Sequence, residues 1–317
     1  MTSIPIDSAI RKPPKGAALD PVFRFLCLAA ATALLATLSG VIVALAIGGW
    51  PALAKFGLGF FTSTTWNPVT DIYGAEGPIV GTLVTSVLAL ALALPVAFGI
   101  AVFLVEFAPR AVRQPVAIAV QLLAGVPSIV YGMWGLFVFA PAFAKYVQLP
   151  LMMNAEPGSL LEKLTMGVPN GANILTASII LAIMILPYMA AVLRELFLTV
   201  PPQLRESAYG IGATPLEVTW QVLLPYIRRS AIGAVMLGLG RALGETMAVT
   251  FIIGNSHNLP KSLFDSGSTI ASTIANEFNE ASGLHQSALI ALGLILFLIT
   301  FAVLASARLL LSQQRAV

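Results

Sequence analysis

Charge is scarce in this chain. Asp, Glu, Lys and Arg make up 10% of its 317 residues, whereas hydrophobic residues make up 58% and mean hydropathy is +0.91. That balance excludes an ordinary soluble domain and indicates a polytopic membrane protein. Cysteine is almost absent: Cys27 stands alone, so neither an internal disulfide nor a thiolate metal cluster can form. Histidine occurs twice, at His257 and His285, without the helical spacing of a zinc pair, so both are expected to be solvent-exposed loop residues. No lysine follows a glycine, which removes the Gly-Lys-Ser/Thr phosphate cradle and with it an ATP site of that type. A Gly-x-Ser-x-Gly nucleophile elbow is missing as well. Nothing marks the chain as a catalyst, no metal site is expected, and a net charge of +3 needs no nucleic-acid partner to explain it.

What the chain has instead is long apolar runs. A helix needs roughly 20 apolar residues to cross about 30 Å of hydrocarbon. Six stretches qualify, at about 23–48, 80–105, 116–140, 173–193, 230–253 and 286–307. An even number puts both termini on one side, and Lys and Arg say which. Twelve flank the spans on the side of the termini: Arg11, Lys12, Lys15, Arg24, Arg110, Arg113, Arg194, Arg205, Arg228, Arg229, Arg308 and Arg315. Only Lys55, Lys145, Lys163 and Lys261 lie in the other three loops. The termini are therefore expected in the cytoplasm. The first run is too long for a signal-peptide core and lacks a small-x-small site before Trp50-Pro51, so it is expected to stay attached. Residues 1–22 read as a cytoplasmic arm that can rest on anionic lipid headgroups, and 308–317 as a cytoplasmic tail.

Between the fourth and fifth spans, residues 199–228 break the apolar pattern twice. Pro201-Pro202 ends one helix and can start another over about 202–209, because proline costs nothing in a first turn. Gly210 and Gly212 then permit the positive φ that ends it. Thr214-Pro215-Leu216-Glu217 has the spacing of a capping box. After it, Leu216, Trp220, Leu223 and Ile227 are spaced to form one apolar face, with Pro225 expected to break the helix before span 5. Two short helices meeting at a glycine corner make a stiff knob suited to transmitting force; the alternative is an amphipathic hairpin lying on headgroups.

Span 5 contains Arg241 and Glu245, four positions apart and expected on one helical face near the midplane. Each charge there costs roughly 2.5–3.5 kcal/mol unless it faces protein or water. The pair is expected either to fasten span 5 to its neighbours or to line the route of an anionic substrate. Gly240 and Gly244 offer a small-residue face beside it. Pro95, Pro127 and Pro187 are placed within spans 2, 3 and 4 and can bend them. Ser128 and Tyr131, at the Pro127 kink, are the best further candidates for a pathway wall; alternatively Ser128 satisfies the carbonyl that Pro127 frees. Trp50, Phe60, Phe61 and Trp66 fit an interfacial aromatic belt. The outer loops, about 49–79, 141–172 and 254–285, are longer than connectors need to be.

Glu206-Ser207-Ala208, then Gly212, then Val222-Leu223-Leu224-Pro225 resembles the EAA signature of permease subunits in ABC importers. Ser207 replaces an alanine of that signature and Val222 an isoleucine. Asp71-Ile72-Tyr73-Gly74, Gly125 to Gly132 and Gly238 to Thr246 are further similar to the phosphate branch of the family, and the likeness runs from about 23 to 307. The resemblance implies an all-α, six-span type I (MetI-like) fold in the bacterial inner membrane. It implies a phosphate importer in which Glu206, Ser207, Ala208, Gly212, Leu224 and Pro225 couple to a separate ATPase subunit. ATP and Mg²⁺ would be used by that partner. A homologous second permease subunit and a soluble phosphate-binding protein are the other implied partners. A guanidinium suits phosphate because its planar donors match two oxygens at once, so Arg241 is expected on the pathway. A permease for sulfate, molybdate or phosphonate, and more distantly a secondary transporter or channel, remain alternatives at this point.

Overall fold

The computed structural model describes residues 20–313, so most of the arm and the last four residues of the tail lie outside the described residues. Six helices are long and apolar enough to cross a membrane: Asp20–Phe56, Glu76–Phe107, Ser128–Met153, Ile174–Leu198, Pro215–Leu243 and Gly283–Ser306, called spans 1 to 6 below. Among the described residues the chain divides after Ile47 into two compact units.

Spans 2 and 4 form the centre of the second unit. Ala89, Ala93, Ala97 and Ala101 recur every fourth residue along span 2, and all are fully buried. That stripe of methyl groups lets the backbone of span 4 come close, and Ile180, Leu181, Met184, Ile185 and Met189 fill the seam. Lipid tails are as apolar as leucine, so the gain here is close packing rather than escape from water. Pro187 stays inside span 4 and is buried, and Pro95 stays inside span 2, as expected of membrane helices.

Span 3 starts later than the hydropathy suggests. The stretch expected to span at 116–140 is divided: Arg110–Ala124 is a separate helix, and the chain turns through 125–127 before span 3 begins at Ser128. Pro127 is responsible, because it takes an extended ψ of 137° and its ring pushes the preceding residue out of helical space. Proline here opens the span instead of kinking it. Two π-helical turns, Gly135–Phe139 and Ala144–Gln148, then carry the span to Met153.

Span 5 differs more. It was expected at 230–253, yet the helix runs from Pro215 to Leu243, and Pro225 does not break it. A π-helical turn at Val218–Leu223 immediately precedes Pro225; widening the ladder there accommodates the missing N–H. The same turn changes which residues face inward. Val218, Thr219, Leu223 and Ile227 are buried, whereas Leu216 and Trp220 of the expected apolar face are exposed. Beyond Gly244 the helix stops, and only the short turn Met247–Thr250 follows.

The chain then reverses at Gly254 and Asn255, both with positive φ, and returns alongside itself through Gly267 N–H to Ile253 O (2.9 Å). A capped helix, Ile270–Glu277, completes this hairpin-like segment. Much of it is not a surface loop: Ile252, Ile253, Ile270 and Ser272 are fully buried. Glycines on span 2 make the room. A Cβ on Gly77 would sit 2.1 Å from His257 O, and one on Gly81 2.0 Å from Ser268 O. Thr82 secures the contact by accepting from Ile270 N–H at 2.9 Å.

Candidate functional site

Arg241 lies in the last turn of span 5, where the negative end of the helix favours a cation. Its guanidinium carbon sits over the Tyr188 ring of span 4, 5.6 Å from the centroid, and Tyr131 of span 3 packs against the same apolar core as Tyr188. Tyr131 in turn donates its hydroxyl to Leu123 O at 3.1 Å, closing the turn that Pro127 imposes. Spans 4 and 5 thus meet at one exposed guanidinium. Ser128 stands one turn before Tyr131, half-buried. Tyr188 also lines an open cavity of about 340 Å³ with Gln121, Ala124, Ala191, Val192 and Glu195.

Glu245 is not part of that group. The helix ends between the two charges, and among the described residues no ion pair joins Arg241 to Glu245. Glu245 instead accepts from Ala248 N–H at 3.2 Å and starts the turn Met247–Thr250. The expected face shared by the two is therefore corrected: a carboxylate can cap the next turn only where the preceding helix has stopped. Nor do Gly240 and Gly244 make a tight contact. The close approach on this helix is at Gly238, where a Cβ would meet Met189 Sδ at 2.8 Å.

The corner between spans 4 and 5 forms largely as its residues dictate. Pro202–Gly210 is helical, with Pro202 in its first turn. Thr214 and Glu217 complete the capping box, Thr214 N–H donating to Glu217 Oε2 at 2.8 Å. Gly212 carries the positive φ (+90°) with open space around it; Gly210 does not, being the last helical residue. Glu206, Ser207 and Gly212 face outward, and Ala208 is buried. Leu224 and Pro225 lie farther on, inside the continuous helix of span 5.

Sequence reading missed what holds this corner. Tyr209 donates to Glu106 Oε2 at 2.7 Å, and Arg205 Nη1 lies 3.3 Å from Glu106 Oε1. Arg205 also donates to Phe197 O at the end of span 4. Burial, then the hydrogen bond and charge of Glu106, push the Tyr209 phenol up to about 12, against the opposing charge of Arg205. The available signal was Glu106 itself, an acidic residue directly beyond an apolar run.

The histidines also depart from expectation. Each donates or shares a proton through Nε2 with a different oxygen of Glu277, both at 2.8 Å, and Trp66 Nε1 donates to Oε2 at 2.8 Å. His257 stacks on Trp66 and His285 on Tyr73, so neither is a solvated loop residue. Burial is the largest single influence on Glu277 and raises its pKa. The bonds from His257, Trp66 and His285, with the His257 charge, outweigh it and hold the carboxyl below its usual range. Trp66 and Phe60 are thus packed positions and not members of an interfacial belt; Trp50 and Phe61 are exposed. Tyr73 is pushed up to about 12 by burial and by its bond to Asp71.

A family described as binding-protein-dependent transport system inner membrane component matches residues 93–315, most of the chain. The chain belongs to this family of transport permeases. Among named relatives, the phosphate transport system permease protein PstC of Pasteurella multocida is 54% identical over 276 residues, covering 87% of this chain and 86% of its own. The protein of the same name from Mesorhizobium japonicum is 53% identical, covering 93% and 90%. A protein named probable phosphate transport system permease protein PstC, from Methanocaldococcus jannaschii, is 37% identical, covering 78% and 80%. The permease also shares its fold with a chain of a bacterial alginate ABC transporter solved with an alginate-bound periplasmic protein. The TM-score is 0.57 at 17% identity, covering 91% of this chain and 95% of that one. A chain of the inward-facing MetNI methionine ABC transporter gives 0.50 at 18%, covering 74% and 93%. The fold is thus the MetI-like permease fold, all-α but for the short hairpin Trp66–Asn67 and Ile72–Tyr73.

Proposed function

We propose that this chain is the permease subunit of an ATP-driven inorganic phosphate importer, forming half of the translocation pathway. The observation that carries the reading is the whole-chain likeness, above 50% identity, to permeases named for phosphate transport. The geometry agrees with it. An exposed guanidinium held over an aromatic ring, where spans 4 and 5 meet, offers fork-shaped donors to an oxyanion without enclosing it. Ser128 supplies a hydroxyl just after the break before span 3, and Tyr131, whose proton goes to Leu123 O, braces that break. Glu245, set apart from Arg241, orders the turn beyond span 5.

On this reading the corner containing Glu206, Ser207, Ala208 and Gly212 seats on an ATPase subunit, with Leu224 and Pro225 on the helix that leads away from it. Hydrolysis of ATP with Mg²⁺ belongs to that subunit, and this chain is non-catalytic and binds no cofactor. A homologous second permease completes the pathway, and a soluble phosphate-binding protein delivers cargo from the opposite face. The excess of Lys and Arg puts both termini and the corner in the cytoplasm of a bacterial cell, with the spans in its inner membrane.

Labelled phosphate uptake tests the proposal, in cells lacking this chain and supplied with wild type or Arg241→Ala, with excess sulfate as competitor. Uptake restored by wild type, indifferent to sulfate and lost in an Arg241→Ala protein present at normal level is the expected result. Restored uptake that sulfate blocks would replace phosphate with another oxyanion, and undiminished uptake in the variant would remove Arg241 from the pathway.

A further inference from the structure

We propose that Glu106, held by Arg205 and Tyr209, is the joint through which the corner at 202–212 moves the end of span 2. The inference rests on the reading of this chain as an ATP-coupled permease and adds a positioning residue to it. Force delivered to a surface helix reaches a membrane span only through contacts that resist displacement. Pro202–Gly210 has such a contact outside its own chain neighbours. Arg205 and Tyr209 are four residues apart, hence on one face of that helix, and both reach the same carboxylate on span 2.

That carboxylate is 5% exposed. Removing it from water costs several kcal/mol unless charge and hydrogen bonds compensate, so its partners bind it firmly and letting go of it is costly. Arg205 additionally grips Phe197 O, which links the last turn of span 4 to the same point. Phe98 of span 2 reinforces the contact from the apolar side, 5.8 Å from Trp220 and 5.7 Å from Phe197 between ring centres.

Two features suit a joint that moves better than one that merely fastens. Glu106 sits in a π-helical turn, Phe103–Phe107, the kind of ladder defect at which a helix end can change register. The ion pair is also half-made: Glu106 Oε1 and Arg205 Nε are both buried without a hydrogen bond. A two-pronged guanidinium–carboxylate fork would satisfy both atoms. The clasp therefore has a tighter arrangement available to it, and two discrete arrangements are what transmission of a coupling energy needs.

The test uses the whole complex in proteoliposomes: this chain with its partner permease, ATPase subunits and phosphate-loaded binding protein. Phosphate taken up per ATP hydrolysed is measured for wild type, Glu106→Gln, Glu106→Asp and Tyr209→Phe. Glu106→Gln is expected to lower that ratio about tenfold and Tyr209→Phe about threefold, with Glu106→Asp between wild type and Glu106→Gln. A merely structural pair would reduce the yield of complex and leave the ratio of the surviving complexes unchanged, so a ratio within about twofold of wild type in Glu106→Gln overturns the joint. Should Glu106→Gln fail to assemble, an unchanged ratio in Tyr209→Phe has the same force. Wild-type vesicles that hydrolyse ATP without taking up phosphate would give a different pattern, overturning the transport reading and the joint with it.

Discussion

The guanidinium of Arg241 lies over the ring of Tyr188, 5.6 Å from its centre, and leaves Glu245 on the far side of a helix end. Two charges four positions apart in an apolar run would pair on an unbroken helix. Gly244 stops that helix, so the charges separate into an aromatic-backed cation and a capping carboxylate.

The first prediction concerns that separation. Because no ion pair joins Arg241 to Glu245 among the described residues, the effects of Arg241→Ala and Glu245→Gln on stability in detergent should add to within about 0.5 kcal/mol. Arg241→Glu combined with Glu245→Arg should rescue nothing. A double-mutant cycle with a larger coupling energy would mean that the two meet.

A second prediction concerns Gly212. Its φ of +90° is open to glycine and strained for other residues, yet a Cβ there would meet nothing. Gly212→Val should cost about 1–3 kcal/mol through backbone strain, and Gly212→Asn less. Both costs should appear in thermal unfolding of the permease in detergent, and equal melting temperatures for wild type and Gly212→Val would contradict the positive φ.

The third follows from Glu277. Its folded-state pKa is depressed, so the stability it contributes is present above the ordinary carboxylate range and is lost as pH falls through its folded value. Glu277→Gln should destabilise the protein by about 1–3 kcal/mol at pH 7, because three donors lose a charged acceptor. The gap between variant and wild type in thermal unfolding should close on acidification below the usual carboxylate pKa. A gap that widens there would contradict the assigned sign.

The fourth tests the packing of span 2 against the returning segment. A Cβ on Gly81 would lie 2.0 Å from the backbone oxygen of Ser268, and backbone cannot rotate away as a side chain can. Gly81→Ala should cost about 1–3 kcal/mol, while Gly99→Ala, with nothing within 4 Å, should be neutral or mildly stabilising. Equal melting temperatures for the two variants would show that the segment is not held as described.

Composition and local chemistry determined a good deal without any tertiary contact. Apolar run length fixes the number of spans because the backbone must satisfy its own hydrogen bonds in hydrocarbon. Thr214 and Glu217 cap, and Pro202 opens a helix, through atoms within a few residues of one another. Likewise the EAA-like string from Glu206 to Pro225 pointed to the transport family that the relatives bear out. What only the tertiary structure decided depends on partners distant along the chain. Hydropathy cannot see that Pro127 opens span 3 or that a π-helical turn carries span 5 through Pro225, since apolar content is the same either way. It cannot see that Glu245 caps a new turn. His257, His285 and Trp66 converge on Glu277, and Arg205 and Tyr209 on Glu106, because folding brings together residues whose separations, 211 positions for Trp66 and 103 for Tyr209, leave no local pattern.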